Sequence, residues 1–170
     1  MKAENIYRFM TAEEFNKCVD LYSDSIYRFA LKMLKNTDLA MDNVQDCFER
    51  LWIKHSEVEY TKAKSYLFTS AYHAAIDTIR KEKRKLEYAD EAIFERSTTN
   101  SYSDAKEIVD KAVEKLPEIQ KSVLLLRDYE GYSYEEIGEI TGLNESQVKV
   151  YIYRARLFLK EQLVSIDNLI

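Results

Sequence analysis

The chain contains very few of the residues that make tight turns. Its 170 residues include three glycines and one proline. β-Sandwiches and β-barrels need a turn after each short strand, and these two residue types build most such turns. With 46% hydrophobic residues, the chain can still bury a packed core. The sequence therefore predicts an all-α fold.

Apolar residues recur at helical spacing in the first half of the chain. Stripes at intervals of three and four cover residues 11–35, 37–55 and 63–85, and each stripe predicts a helix. Residues 36–38 can end the first helix and cap the second. The apolar face of the second helix is expected to contain Val44, Phe48, Leu51 and Trp52.

The helical pattern weakens after the third stripe. Residues 87–104 carry one basic and five acidic side chains and end in a cluster of Ser, Thr and Asn. This composition is typical of a flexible linker. We expect two small helical domains, residues 1–86 with three to four helices and residues 105–170, joined by this acidic linker.

A second set of helices follows the linker. Pro117 fits the first position of a helix, where its missing N–H costs nothing, and Gly131 suits the residue just after a helix end. The apolar residues expected to pack inward between them are Ile119, Val123, Leu124 and Leu126.

Two helix-capping signals stand close together in the C-terminal half. Ser133 and Glu136 match the S-x-x-E capping box, and Asn144 with Gln147 offers the same pair of hydrogen bonds. Gly142 suits a positive φ in the turn between them. Two capped helices separated by about three residues predict a helix-turn-helix, whose second helix enters the major groove of DNA.

The second of these helices has two different faces at 100° per residue. The residues expected to pack inward are Val148, Ile152, Ala155 and Leu159. Residues 147–160 carry four basic side chains and no acid. A basic face with hydroxyls, an aromatic ring and a β-branched side chain suits phosphates, base edges and thymine methyl groups. The candidate DNA-binding residues are Ser146, Gln147, Lys149, Val150, Tyr153 and Arg154.

A second basic segment lies in the third predicted helix. Residues 62–85 carry seven basic and two acidic side chains, although the chain has a formal net charge of −5. Aromatic side chains can stack unpaired bases while neighbouring cations hold the nucleic-acid backbone. Confined basic segments of this kind are unlike the broad basic surface of a nonspecific DNA-binding protein. The residues on one side of this helix are Tyr66, Thr69, His73, Asp77, Arg80 and Arg84.

Three segments in a fixed order resemble one family. "LAMDNVQDCFERLW", residues 39–52, looks like the region 2.2 motif of bacterial RNA polymerase sigma factors of the extracytoplasmic-function (ECF) group. "SYLFTSAYHAAIDTIRKEKR", residues 65–84, looks like regions 2.3 and 2.4 of that group. Residues 116–163, which include the predicted helix-turn-helix, are similar to region 4. The resemblance covers about residues 12–165.

The resemblance implies two helical domains, called σ2 and σ4, that bind core RNA polymerase and direct it to promoters. In such proteins σ2 docks on the clamp helices of the β′ subunit and holds the melted −10 strand. The −10 residues implied here are Tyr66, Thr69, His73, Arg80 and Arg84. The residues matching the clamp contact are Asp42, Gln45, Asp46, Glu49 and Arg50.

The second domain of the family, σ4, sits on the flap of the β subunit and reads the −35 element with the helix-turn-helix. The resemblance therefore assigns the −35 element to the six candidates between Ser146 and Arg154. ECF-type factors are usually held inactive by an anti-sigma protein, so an anti-sigma factor is a further expected partner.

Four positions depart from the family pattern. Met41 and Asn43 stand where Glu and Leu are usual, which predicts a tuned clamp contact. His73 stands where Asn is frequent beside the flipped-out base. Gly138 replaces the usual Ala, a small-for-small change at the expected close approach of the two helices.

No catalytic or metal-binding pattern is present in the sequence. It lacks a Gly-rich phosphate loop and an H-E-x-x-H motif, and Cys18 and Cys47 match no metal spacing. We expect two buried free thiols, no cofactor and no enzymatic activity. No apolar run approaches the roughly 20 residues needed to span a bilayer, and the N-terminus lacks the apolar core of a signal peptide. A cytoplasmic protein without direct membrane insertion is predicted.

Two other functions fit part of the sequence. A stand-alone regulator, dimeric and binding a palindrome, would explain residues 105–165, and this helix-turn-helix alone also fits LuxR-type regulators. A helical interaction module would use the basic segments to bind acidic proteins. The regulator hypothesis leaves residues 39–52 and 62–85 without a function.

Overall fold

The computed structural model describes residues 9–88 and 105–167, and these residues are almost entirely helical. A 3-10 turn precedes α3, and a π-helical segment continues α5. The helices are α1 Ala12–Leu34, α2 Thr37–Ile53, α3 Ala63–Tyr88, α4 Ala105–Glu114, α5 Glu118–Leu124, α6 Tyr134–Thr141 and α7 Glu145–Asp167. Within the described ranges there is no strand beyond an isolated bridge between Phe9 and Glu59. The all-α prediction is confirmed.

The chain forms two compact units, Met1–Ala75 and Ile76–Ile170. The division falls within α3, a single helix that runs to Tyr88. The predicted pair of helical domains is confirmed, and the predicted limits at residues 86 and 105 stay predictions. The acidic linker predicted at 87–104 lies almost wholly outside the described residues.

Capping side chains fix where the first two helices begin. The Thr11 hydroxyl accepts a hydrogen bond from the Glu14 N–H at 3.2 Å, and the Glu14 carboxylate accepts one from the Thr11 N–H at 2.9 Å. The Asn36 side chain accepts from the Leu39 N–H at 2.9 Å, as the sequence predicts. These bonds satisfy N–H groups that the helix itself leaves without partners. The largest side chains of this unit with less than 2% exposure are Ile26, Leu51, Leu67 and Phe68.

Trp52 does not lie in the core, and the prediction that it does is wrong. Its side chain is 46% exposed. One edge packs against Phe15 at 5.0 Å between ring centroids, and the ring stacks on His55 at 4.8 Å. Trp52 lies at the border of the apolar face of α2, where α1 covers it from one side only.

Asn43 lies inside the first unit and is 4% exposed. Its amide nitrogen donates to the Ala71 carbonyl of α3 at 3.1 Å, and its amide oxygen accepts from the Cys47 thiol at 3.6 Å. A buried amide is tolerated because both of its polar atoms are bonded. The Asn43 side chain therefore acts in the packing of α2 on α3, and the expectation of a tuned clamp contact stays a prediction.

Both cysteines are free and fully buried, as predicted. Burial raises the pKa of the Cys47 thiol to about 12 and also raises the pKa of the Cys18 thiol. Since the thiolate is the reactive species, we expect iodoacetamide at pH 7.5 to modify the native protein more than about 100-fold more slowly than the urea-unfolded chain. Mass spectrometry of timed samples measures both rates. Rapid labelling of either cysteine in the native protein would contradict this packing.

Helix α5 of the second unit differs from the prediction in two details. Pro117 is the N-cap residue of α5, one position before the predicted one, and its carbonyl accepts from the Lys121 N–H at 2.9 Å. The π-helical segment Leu125–Tyr129 continues α5, with the Glu130 N–H donating to the Leu125 carbonyl at 3.2 Å. Gly131 follows with a φ of +74°, as its predicted role after the helix end requires.

The helix-turn-helix of α6 and α7 is formed as predicted. Ser133 and Glu136 make both bonds of the capping box, at 3.1 and 2.7 Å. Gly142 ends α6 with a φ of +75°. The largest fully buried side chains of the unit are Leu124, Leu125, Leu126, Ile137, Ile140 and Ile152.

Gly138 is required by the turn itself. A Cβ placed there would lie 2.7 Å from the Leu143 carbonyl oxygen, so even alanine needs a shift of the turn backbone. The close approach is therefore between α6 and the turn that follows it, and not between the two helices as predicted.

We expect Gly138→Val to lower the free energy of unfolding by about 2 kcal/mol or more, because two methyl groups add to this clash. The matched control is Glu139→Val, which places the same residue at an exposed position of α6 and should cost less than about 1 kcal/mol. Urea unfolding followed by circular dichroism measures both. Equal losses would show that helix propensity, and not the turn, sets the cost.

Candidate nucleic-acid interface

The start of α7 is held by two reciprocal hydrogen bonds. The Asn144 side-chain oxygen accepts from the Gln147 N–H at 2.8 Å, and the Gln147 side-chain oxygen accepts from the Asn144 N–H at 3.0 Å. Val148, Ile152 and Ala155 are buried, with 0–2% exposure, and fix the rotation of the helix. This rotation determines which side chains of α7 are exposed to solvent. All six DNA-binding candidates lie exposed on it: Ser146, Gln147, Lys149, Val150, Tyr153 and Arg154.

Lys149 is restrained by two neighbours. Its ammonium lies 2.5 Å from a Glu145 carboxylate oxygen, one helical turn earlier. It also lies 5.5 Å from the centre of the Tyr134 ring, and the Arg127 guanidinium lies 4.6 Å from the centre of the same ring. These contacts hold the charge of Lys149 at the start of α7. The sequence could not predict the Tyr134 contact, because Tyr134 reaches Lys149 only once α6 and α7 have packed.

Arg156 faces away from this surface toward the π-helical segment. Its guanidinium donates to both oxygens of Asp128, at 2.5 and 3.3 Å, and the hydrogen bond to Asp128 raises the pKa of Arg156. This paired geometry joins α7 to the end of α5. Arg154, two residues earlier, makes no hydrogen bond or ion pair within the described part of the chain. Its charge is therefore available to a ligand.

A shallow groove runs beside the exposed face of α7. Its lining combines side-chain amides, a hydroxyl, an aliphatic side chain and a guanidinium. The lining residues are Asn144, Ser146, Gln147, Val150, Tyr151 and Arg154. This mixture of donors and apolar surface suits the edge of a DNA groove.

The residues predicted for single-stranded DNA lie on α3. His73 is exposed and packs edge-on against the buried Tyr72, at 5.2 Å between centroids. Tyr66 and Thr69 are half-buried, and the Thr69 hydroxyl donates to the Ser65 carbonyl at 2.8 Å. These three side chains belong to the first unit. The other two candidates, Arg80 and Arg84, are exposed on the part of α3 that lies in the second unit.

The five residues predicted for polymerase contact are all exposed on the polar face of α2: Asp42, Gln45, Asp46, Glu49 and Arg50. Three large apolar side chains of α2 are exposed as well, and the sequence analysis had connected only Met41 with the clamp contact. Met41 is 62%, Trp52 46% and Ile53 69% exposed. A mixed acidic and apolar surface of this kind is typical of a protein interface, in which aromatic side chains are enriched. Only their exposure could have identified them, because each fits a core position by residue type.

The described residues contain no cluster of His, Cys, Asp and Glu that could hold a metal ion. Across the same residues, no helix combines the length and the apolar character that crossing a membrane requires.

Comparison with known proteins identifies the family. Residues 18–85 match Sigma-70 region 2, and residues 106–159 match Sigma-70 region 4. The ECF RNA polymerase sigma factor SigM of Bacillus subtilis (strain 168) is 30% identical over 156 residues, which cover 89% of this chain and 94% of SigM. The chain belongs to the ECF sigma factors. The sigma factor SigV of the same strain is 31% identical, covering 88% of this sigma factor and 91% of SigV.

A solved structure has the same fold as this sigma factor. It is the sigma factor RpoE of Bartonella quintana, crystallised with the anti-sigma factor NepR. The TM-score is 0.77 at 26% identity, and the match covers 89% of this chain and 97% of that chain. Both halves of the chain are thus accounted for by one family, which excludes the stand-alone regulator and the interaction module. As a sigma factor the protein directs transcription initiation, and members of this family are transcription regulators, not catalysts.

Proposed function

We propose that this sigma factor binds core RNA polymerase, reads the −35 element as duplex DNA with α7, and captures the melted −10 strand with α3. The observation that carries the −35 role is the division of α7 into two faces. Its inward residues are buried, while six polar, aromatic and basic candidates are exposed on the other side. A helix presented in this way by a helix-turn-helix suits the major groove.

We propose one domain for the −10 contact and a second domain for the −35 contact. Residues 1–86 form the σ2-like domain, residues 87–104 the linker, and residues 105–170 the σ4-like domain. The −10 residues are Tyr66, Thr69, His73, Arg80 and Arg84. The exposed ring of His73 supports a role in stacking or hydrogen bonding to an unpaired base.

The proposed contact with the β′ clamp helices is the exposed face of α2, and the β flap is the proposed contact of the second domain. Asp46 and Glu49 give this face an acidic character, and Trp52 adds an aromatic side chain that is already ordered by Phe15 and His55. Ordering an aromatic ring in advance lowers the entropy cost of binding. We therefore add Trp52, Met41 and Ile53 to the five polar residues predicted from the sequence.

An anti-sigma factor is the proposed regulatory partner. The likeness to RpoE, which was crystallised with NepR, supports it. The proposed location is the cytoplasm, where bacterial RNA polymerase works. Because the polymerase catalyses RNA synthesis, we propose no enzymatic activity and no cofactor for the sigma factor.

Reconstitution tests the proposed function. The purified factor is mixed with bacterial core RNA polymerase and a library of genomic promoter fragments, and run-off transcripts are sequenced. We expect transcripts that share two sequence elements spaced as −35 and −10 elements are. Failure to associate with the polymerase would contradict the proposal, and so would transcripts without shared elements.

A further inference from the structure

Gln147 is a residue type that often reads adenine. A glutamine does so by donating from its amide nitrogen to N7 while its amide oxygen accepts from the N6 amino group. Both atoms of the amide must therefore face the base edge together. Gln147 is exposed on the proposed −35 surface, so its orientation bears on which bases α7 can recognise.

The helix cap determines that orientation. The Gln147 side chain lies 3.0 Å from the Asn144 backbone nitrogen, and the Asn144 side chain lies 2.8 Å from the Gln147 backbone nitrogen. A backbone N–H can only donate, so the atom facing it is the amide oxygen in both cases. Each oxygen is turned back to the start of α7, and each NH₂ group is left on the other side of its planar amide.

We propose that Gln147 presents only N–H donors to promoter DNA and therefore recognises a hydrogen-bond acceptor and not adenine. The acceptor is a phosphate oxygen or the keto oxygen of guanine or thymine, which share this chemistry. To bind adenine in this orientation, the Gln147 oxygen would have to accept from the Asn144 N–H and from adenine N6 at the same time. This inference rests on the proposed −35 function of α7.

The surroundings of Gln147 favour an acceptor ligand as well. Arg154 lines the same groove and is a donor without a partner in the described residues. Glu145 lies one turn before Lys149, and its carboxylate is engaged by the Lys149 ammonium. None of the six residues that line the groove is acidic, and its amide, hydroxyl and guanidinium groups can all donate to the DNA.

Selection from a promoter pool tests the inference with the complete holoenzyme. The probe is a set of promoter duplexes with a randomised −35 segment, bound by core polymerase carrying wild-type factor or Gln147→Glu. The variant keeps an oxygen for the Asn144 N–H and loses the NH₂ group. We expect about tenfold weaker binding to the selected sequences. A loss that is uniform across sequences identifies a phosphate contact, whereas a loss confined to one guanine or thymine position identifies a base contact.

One change of preference would overturn the inference. If wild-type factor selects adenine at one position and Gln147→Glu selects cytosine there, then Gln147 reads a base with both amide atoms, since a carboxylate accepts from cytosine N4. Unchanged binding by the variant also overturns it. Gln147→Met, which is neutral, is the charge control. Weaker binding by Gln147→Met supports the loss of a donor, while wild-type binding by Gln147→Met shows that added charge alone weakened Gln147→Glu and overturns the inference.

The same experiment separates this inference from the proposed function. If wild-type holoenzyme enriches no sequence in the randomised segment, the −35 role of α7 is wrong and the inference falls with it. If wild-type holoenzyme enriches a sequence with adenine at one position, and the Gln147→Glu holoenzyme enriches cytosine at that position, the inference alone is wrong. Thermal unfolding of each variant identifies losses that come from a weakened α7.

Discussion

Arg154→Ala is expected to lower transcription from promoters that depend on a −35 element by about 10- to 100-fold, the usual effect of removing one charged contact to a base or phosphate. Arg154 is exposed on the proposed DNA-binding face and has no partner among the described residues. Its removal should therefore leave thermal unfolding unchanged. Run-off transcription on templates with and without the −35 element measures the first effect, and calorimetry measures the second.

Arg156→Ala provides the matched control, because it removes the same side chain two residues later. Arg156 is bound to Asp128 through both carboxylate oxygens. Half-exposed ion pairs contribute little, so we expect a loss of about 0.5–1 kcal/mol in the free energy of unfolding. Transcription should stay within about threefold of wild type. If the two variants lose transcription equally, the assignment of the two faces of α7 is wrong.

Asp46→Arg is expected to lower the affinity for core RNA polymerase by about 30-fold or more, because a reversed charge inside an interface places like charges together. Asp46 lies exposed at the centre of the polar face of α2. The affinity is measured by titrating fluorescently labelled factor with core polymerase and following anisotropy. We expect the salt dependence of binding to decrease at the same time.

The control for this variant is Asp24→Arg, which makes the same charge change at an exposed position of α1. We expect less than a threefold change in polymerase affinity. A comparable loss in both variants would mean that net charge, and not the face of α2, determines binding. A lower unfolding temperature for Asp46→Arg alone would attribute its loss to folding.

The helices were predictable because their boundaries are local. Thr11, Asn36, Ser133 and Asn144 cap helices with side chains that reach only three residues along the chain. Such bonds depend on sequence spacing and on little else. The inward face of α7 was predictable for a similar reason, since residues at helical spacing share a face wherever the helix packs.

The errors concern contacts made across the fold. Trp52 was placed in the core because its type and spacing fit, but its exposure depends on how far α1 extends over α2. Asn43 was noted only as a departure from the family pattern, and its buried bond to Ala71, 28 residues away, was not predicted. Periodicity gives the direction of a side chain and carries no information about the element that meets it.

The candidate DNA surface shows the same limit. The sequence identified six exposed residues of α7 and included Lys149 and Arg154 among its four cations, but it gave no partner for any of these cations. The structure shows that Arg156 is paired with Asp128, 28 residues away. It also shows that Lys149 contacts Glu145 and Tyr134. The Glu145 contact could have been predicted from its four-residue spacing. The Asp128 contact depends on the packing of α7 against the end of α5.

The ion pairs of Lys149 with Glu145 and of Arg156 with Asp128 affect how strongly the free factor binds DNA in a cell. Nonspecific affinity for DNA rises with the number of cations that can displace counterions from phosphates. In the described part of α7, Arg154 and Lys160 are the cations left without an acidic partner, in a chain whose formal net charge is −5. We therefore expect the chromosome, despite its great excess of sites, to compete only weakly for the free factor. The supply of unoccupied core polymerase, and not the amount of DNA, is expected to set how much of the factor is engaged.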